Sequence, residues 1–549
     1  MNSLAKRLGL RTDPTIFFVS AAIMIVAVVA LSVFPGPIGT AFEGARGWIV
    51  AKLGWFFILG VNVWLGFLLF AAFSSYGHIK LGGPDAKPEY NNLSWFTMLF
   101  AGGIGTVLMF WGVAEPISHF STPPVAGVEP FSPEAANDAI AIANYHLALH
   151  TWTIFALPGL AFAYCIYRYH LPVRVSSVFW PLLGERINGP IGKTIDIFAV
   201  LGTVFGVAVS LGLGTSQIAA GLESLFGWPD GTPLRLAILG VLTCVAVTSI
   251  VAGLDRGVKL LSNINIGMAV GLMIFILITG STLFLLRGIV QTFGIYVTNL
   301  PRFAFWNDMM AGYLPATDDW GWQGSWTVFY WAWTVTWSPF IGLFVARISK
   351  GRTIREFVLG VLFAPSIFTI VWFSIFGWAA MGIDGIGEEM RQQLGADAGR
   401  ISEAVSNSVP LAMFAFLESF PLTSFVQGVA IVIVAIFFAT SSDSASLVVD
   451  MLCSGEPEAG PVRQRLFWGL AEGGVAAALM ILAGDEALNA LQQVITVIGL
   501  PIFVLVCLMV VSMIVAFSRE TIERVEIHAP DRPDFARDPD ATDGGSTRS

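Results

Sequence analysis

Residues 326–339 read Trp326-Thr327-Val328-Phe329-Tyr330-Trp331-Ala332-Trp333-Thr334-Val335-Thr336-Trp337-Ser338-Pro339, and residues 101–105 read Ala101-Gly102-Gly103-Ile104-Gly105. Each lies in an apolar run of roughly 20 residues, the length that crosses a bilayer as a helix. Such a helix must satisfy its own backbone. A mid-membrane proline removes one N–H, and each interior glycine costs up to about 1 kcal/mol, so both stretches are expected to interrupt their helices. Either one alone fits helix packing as well, because glycine admits a close neighbour and proline kinks many spanning helices. Their relative placement separates the two readings.

Apolar runs centred on 15–35, 50–75, 94–114, 139–166, 194–221, 235–252, 261–286, 325–346, 355–381, 424–449, 464–483 and 490–517 make twelve candidate spans. The interrupted pair are the third and the eighth, and each opens a set of five. An odd number per set inverts one copy relative to the other. A Gly/Pro-interrupted span at the same place in both halves points to a transporter's binding site. The expectation is an all-α polytopic membrane protein of 12 transmembrane helices, with inverted five-helix repeats after two leading helices. Its divisions are a cytoplasmic N-terminus (1–14), two leading helices with their loop (15–93) and the first repeat (94–286). An external amphipathic connection (287–324), the second repeat (325–517) and a largely disordered cytoplasmic tail (518–549) follow.

Composition excludes the other broad classes. Only 12% of the 549 residues are charged and 55% are hydrophobic; a soluble domain carries roughly 25% charged residues. The net charge is −9 without a basic stripe, so no nucleic-acid partner is expected. Cys165, Cys244, Cys453 and Cys507 lie in or beside apolar runs and read as packing residues, not a disulfide framework. Lys and Arg recur within 6–11, 80–87, 168–193, 256–259, 347–355 and 463–465, in every second connection. The positive-inside bias then puts both termini in the cytoplasm of a bacterial-type plasma membrane.

Inside the spans, Trp333 and Trp337 are four residues apart and too deep for an interfacial belt. Tryptophan faces attract quaternary ammonium groups. With Trp152 and Phe155 of the fourth span they would form a cage, and a packed aromatic core is the rival reading. The fifth and tenth spans, each third in its set, carry hydroxyls at Thr203 and at Thr440-Ser441-Ser442-Asp443-Ser444, which suit a partly dehydrated Na⁺. Asp443 would tune that site, or else line a cytoplasmic vestibule. Glu115-Pro116 reads as the external end of the third span, a cap or gate. His146 and His150 read as helix packing, not as metal ligands.

The stretch from Met98 to Pro116, that from Trp326 to Phe340, and Ala346-Arg347-Ile348-Ser349-Lys350-Gly351-Arg352 resemble the betaine/choline/carnitine transporter family. The resemblance covers roughly 12–517. It implies the inverted-repeat fold of sodium-coupled amino-acid transporters, alternating access and a homotrimer. Carried over by position, it implies a sodium site of backbone oxygens from Ala101, Ile104 and Phe437 with the hydroxyls of Thr440 and Ser441. A second cation site would use Thr203, but Val207 stands where its companion threonine belongs. The solute would meet Gly103, Gly105, Trp152, Phe155, Trp333, Thr334 and Trp337. Leu147 and Thr334 occupy positions where a Trp is common, and Phe155 one where a Tyr is common.

The expected function is therefore Na⁺-coupled uptake of a small zwitterionic compatible solute of the glycine betaine type. No cofactor is expected beyond Na⁺ as coupling ion. The two missing tryptophans keep a taurine-like, ectoine-like or amino-acid-derived solute nearly level, while the glycine stretch has no acid to favour choline. Na⁺-independent exchange remains open, and an ion channel is the rival from another class. No nucleophile–base set suggests an enzyme. The short tail carries more acids than bases, which suits constitutive uptake.

Overall fold

Lipid offers no partner to a bare peptide group, so a chain this apolar crosses as helices. The computed structural model describes residues 1–101, 105–252, 255–309, 321–484 and 487–520. Among them there is no strand, only a single bridge between Lys80 and Thr353. The tail beyond residue 520 and the glycines at 102–103 lie outside the described residues. In chain order the long helices begin with α1 (Pro14–Val33), α2 (Pro35–Phe73), α3 (Asn92–Ala101), α4 (Gly105–Ser121) and α5 (Pro133–Leu147). They continue with α6 (Leu149–Arg168), α7 (Pro190–Phe226), α8 (Thr232–Ala252), α9 (Asp255–Thr279) and α10 (Thr282–Ala304). The last are α11 (Thr327–Ile348), α12 (Ile354–Asp384), α13 (Thr423–Ser454), α14 (Val462–Ala483) and α15 (Ala487–Ser518).

Among the described residues, twelve helical stretches are long and apolar enough to cross a membrane. The number equals the expectation, but one member differs. Helix α10 qualifies by length, whereas the third span is described in two parts, α3 and α4, on either side of residues 102–104. Parity decides which of them crosses. Leu81 exchanges backbone hydrogen bonds of 2.8 Å with Gly351 and Arg352, so the loops after α2 and α11 share one end of the bundle. The crossings between them must be even in number. The α3–α4 pair does cross: Arg352 bonds Asn92 at one end, and Trp322, just before α11, bonds His119 at the other. Helix α10 therefore lies along the far end instead of passing through. There Thr292 accepts from Trp378 Nε1 at 2.9 Å and Arg302 pairs with Asp138 at 3.1 Å.

The basic loops gather at the near end. Arg352 donates to Asn92 and to the Tyr90 carbonyl at 2.9 Å and lies 3.9 Å over the Trp95 ring. Asp13 caps α1 and pairs with Lys193 at 3.0 Å, and Arg168 pairs with Glu520. The N-terminal segment and the start of the tail thus belong to the same end.

At the centre, α6 and α11 are almost wholly buried, and their contact is the most extensive in the molecule. A Cβ on Gly342 of α11 would lie 3.0 Å from Pro158 and the Gly159 nitrogen of α6, so the backbones approach as small residues allow. Apolar side chains at Val26, Val241 and Ile278 leave α1, α8 and α9 facing outward.

Three local readings are corrected. Helix α11 runs through Pro339 without a break. One missing hydrogen bond is tolerable in a helix clamped on every side, and the discontinuity falls earlier, at Trp326 (φ −119°, ψ −79°). Helix α4 does not end at Glu115-Pro116; it continues to Ser121 with Glu115 fully buried. The fourth span, unmarked in the sequence, is interrupted at Ala148 (φ −99°, ψ −114°). There the Thr151 hydroxyl donates to the His146 carbonyl at 2.6 Å, and Leu149 N donates to the Tyr296 hydroxyl at 3.3 Å. Outside groups thus take over the bonds that the helix gives up.

Candidate functional site

Helices α4, α6, α9, α12 and α13 meet around one cavity, lined by Gly105, Trp152 and Phe437 together with Met109, Phe368 and Trp372. A Cβ on Gly105 would lie 2.0 Å from the Phe437 ring, so only glycine fits there. Trp152 is buried, and its indole N–H has no acceptor among the described residues. Trp152 and Phe155 pack edge to face at 5.6 Å, a sequence pair that α6 turns toward the same region.

The tryptophans of α11 lie elsewhere. Trp333 donates to Ser210 Oγ on α7 at 3.1 Å and stacks on Phe329 at 5.5 Å. Trp337 sits against Gly206, one helical turn earlier on α7. No ring contact among the described residues joins either of them to Trp152 or Phe155. The aromatic residues marked out by the sequence therefore form two groups, one at the cavity and one along α7. Thr334, between Trp333 and Trp337, is buried with them.

Of the expected cation ligands, Phe437, Thr440 and Ser441 share one turn of α13, beside the start of α4. Thr440 Oγ1 donates to the Ile436 carbonyl at 2.8 Å, which leaves its lone pairs free for a cation. Ala101 is the last described residue of α3 before residues 102–104, so its carbonyl adds no test of the expected ligand set. Gly103 and Ile104 lie outside the described residues. Thr203 is buried, its hydroxyl donating to the Ala199 carbonyl at 2.8 Å. Asp443 is 3.6 Å from Arg465, so an intramembrane acid has a basic partner.

A family model described as "betaine/carnitine/choline family transporter" matches residues 15–522, nearly all of the membrane part. This chain belongs to that family. It is 45% identical over 530 residues to the ectoine/glycine betaine/proline transporter EctP of Corynebacterium glutamicum, covering 96% of this chain and 84% of the relative. It is 39% identical to the glycine betaine transporter OpuD of Bacillus subtilis, covering 96% and 98% of the two chains. Glycine betaine transporter 1 of Vibrio parahaemolyticus is 39% identical, with 93% and 95% covered. The protein is a multi-pass membrane transporter of a small solute, not an enzyme.

One polar cluster of this transporter escaped sequence reasoning. Glu115 Oε1 lies 2.6 Å from His146 Nδ1 and 3.6 Å from His119 Nε2, and Glu115 Oε2 accepts from the Tyr330 hydroxyl at 2.7 Å. His150, expected to have a helix-packing role, is buried and meets Asn62 Oδ1 of α2 at 3.1 Å, on the other side of the break at Ala148. The signal was present as Glu115 and His119 one turn apart in an apolar run, where an intramembrane acid is a functional pointer.

Proposed function

We propose that this family member takes up a small zwitterionic solute of the glycine betaine type by alternating access, coupled to Na⁺. Two inverted five-helix sets would do the work, α3 to α9 and α11 to α15. The observation that carries the reading is the cavity where Gly105, Trp152 and Phe437 converge next to Thr440 and Ser441. Aromatic faces suit a substituted ammonium, and the unpartnered Trp152 N–H suits the carboxylate at the other end of a zwitterion. The Phe437 carbonyl and the two hydroxyls are hard oxygen donors on the adjoining helix turn, the chemistry that Na⁺ favours. Resemblance to the family adds a homotrimer and cytoplasmic termini in the plasma membrane.

A second reading has its own support. Thr334 stands where a cage tryptophan is common, and one of the similar proteins is named for ectoine and proline as well as glycine betaine. A solute without three methyl groups would use the threonine hydroxyl in place of an aromatic wall. Uptake of labelled glycine betaine and of ectoine into proteoliposomes, with and without an inward Na⁺ gradient, tests both. Gradient-driven accumulation of glycine betaine is expected. Accumulation of ectoine alone would move the assignment to the second reading, and gradient-independent uptake would remove the sodium coupling.

A further inference from the structure

Glu115 and His119 come from α4, His146 from α5, and Tyr330 and Thr327 from α11, so one polar network ties three helices across the two proposed halves. All five side chains are buried. Among the described residues the ion-pair partners of Glu115 are the two imidazoles, neither of them a fixed cation. With both rings neutral the cluster holds one negative charge inside the membrane, which is unfavourable without compensation.

We propose that Glu115 and His146 form a proton site, and that its proton must be bound for the far side of the pathway, where α10 lies, to close. This rests on the alternating-access reading given above. The hydrogen bonds say where the proton goes. His119 Nδ1 accepts from Trp322 Nε1 at 3.3 Å, so its own proton is on Nε2, 3.6 Å from Glu115, and protonating this ring would cost the Trp322 bond. His146 keeps its Nδ1 proton toward Glu115, while its Nε2 is 2.9 Å from the Thr327 hydroxyl. That hydroxyl donates to a neutral ring and, after rotating, accepts from a charged one. The added proton belongs to the pair, as carboxylic acid beside imidazole or as carboxylate beside imidazolium. Both forms bring the net charge to zero. Separating α11 from α4 and α5 would break the Tyr330–Glu115 and His146–Thr327 bonds and admit water. The pair can then release its proton to that water, leaving carboxylate beside neutral imidazole with no other bond changed.

A fixed cation nearby is Arg46 of α2, buried and donating to the Gly324 carbonyl at 3.3 Å, and the other ionisable groups named here are engaged elsewhere. On α5, Asp138 pairs with Arg302, and the Tyr145 ring leans on His146 at 5.2 Å. On α6, His150 bonds Asn62. Asp384 of α12 receives Ile401 and Ser402 N–H groups, and Arg400 pairs with Glu418 at the surface. Asp196 of α7 bonds Ser176, while Asp443 and Asp450 of α13 face Arg465 and Gln464.

The test uses the full chain in nanodiscs, first without solute. Infrared difference spectra and nitrogen-15 histidine spectra are taken in weakly acidic and weakly alkaline buffer. One carboxylic acid or imidazolium is expected in acid and lost in alkali. The signal should be absent in Glu115→Gln, and it should move to more acidic buffer in Thr327→Val, which removes the acceptor for a charged ring. An unchanging cluster, or a titration that persists in Glu115→Gln, overturns the site. Calorimetry of glycine betaine binding in buffers of unlike ionisation enthalpy then counts protons. Uptake of protons on binding is expected in the wild type and its loss in Glu115→Gln. Binding without proton uptake overturns the coupling. No binding at all overturns the solute reading instead, and the spectra still decide the proton site.

Discussion

Gly105 has no room for even one more carbon, since the Phe437 ring stands 2.0 Å from where a Cβ would be. Gly105→Ala is therefore expected to abolish solute uptake while the chain still inserts, as measured by proteoliposome transport beside a check on monodispersity. Retained uptake would mean that Phe437 swings away at little cost. Thr334 lies with Trp333 and Trp337 and not among the cavity's lining residues, so it tests whether the solute also reaches that second aromatic group. Thr334→Trp should tighten glycine betaine binding by a few-fold to roughly thirtyfold, the ~0.5–2 kcal/mol of one aromatic wall toward a cation. Calorimetric binding showing no gain would separate Thr334 from the solute site. Gly105 stands out in the sequence because an interrupted span calls for glycine there, and the structure sets it under the Phe437 ring. Glu115 was misread because sequence alone places an acid followed by proline at a helix end. Depth in the bundle depends on which neighbours accept its charge, and His146 is 31 positions away.

Elements were legible where a single physical requirement dominates. Roughly 20 apolar residues cross a bilayer whatever their neighbours, so most spans were placed closely, but α2 starts fifteen residues before the expected 50 and α9 ends at Thr279, short of the expected 286. Breaks depend on neighbours. Ala148 has no glycine or proline to mark it, and its freed bonds are taken by Thr151 and by Tyr296 of α10, a partner no local pattern reveals. Pro339 carries the conspicuous signal and leaves α11 continuous. Pro339→Ala should accordingly keep uptake within about threefold, since it restores one backbone bond worth about 1 kcal/mol. A larger loss would show that the kink itself positions Trp333 or Trp337.

The start of α1 offers a pH-dependent counterpart. Burial works against ionised Asp13, but the Lys193 hydrogen bond, the nearby Arg174 and the Ile16 N–H together hold its carboxyl below the usual range. A lowered value in the folded state means stability that is present above the ordinary carboxylate value and lost as pH falls through the lowered one. Asp13→Ala should destabilise the protein by about 1–2 kcal/mol at neutral pH, the loss of a cap and its charge pairing. The difference between variant and wild type in thermal unfolding should shrink only in acid below the ordinary carboxylate range. A gap already closing above that range would contradict the pairing.

At the scale of the whole molecule, the count of twelve hides a choice that only long-range contact resolves. Helix α10 is as long as a crossing helix, and hydropathy alone accepts it. The joined loops around Lys80 and Thr353 forbid it by parity, and its contacts through Thr292 and Arg302 hold it along the end marked by Trp378 and Asp138. The amphipathic pattern in the sequence had suggested a surface element, yet it placed the start at 287, inside what is the first turn or two of α10. Cysteine labelling from one side of the membrane tests this in a background lacking the four native cysteines. Arg287→Cys and Phe305→Cys, near the two ends of α10, should react from the same side as Glu389→Cys. Lys87→Cys should react only from the other side. If the two α10 positions labelled from opposite sides, the helix would be a true crossing. The loop carrying Lys80 and the loop carrying Thr353 would then be unable to meet, and the assembly of basic loops around Arg352 would fall with them.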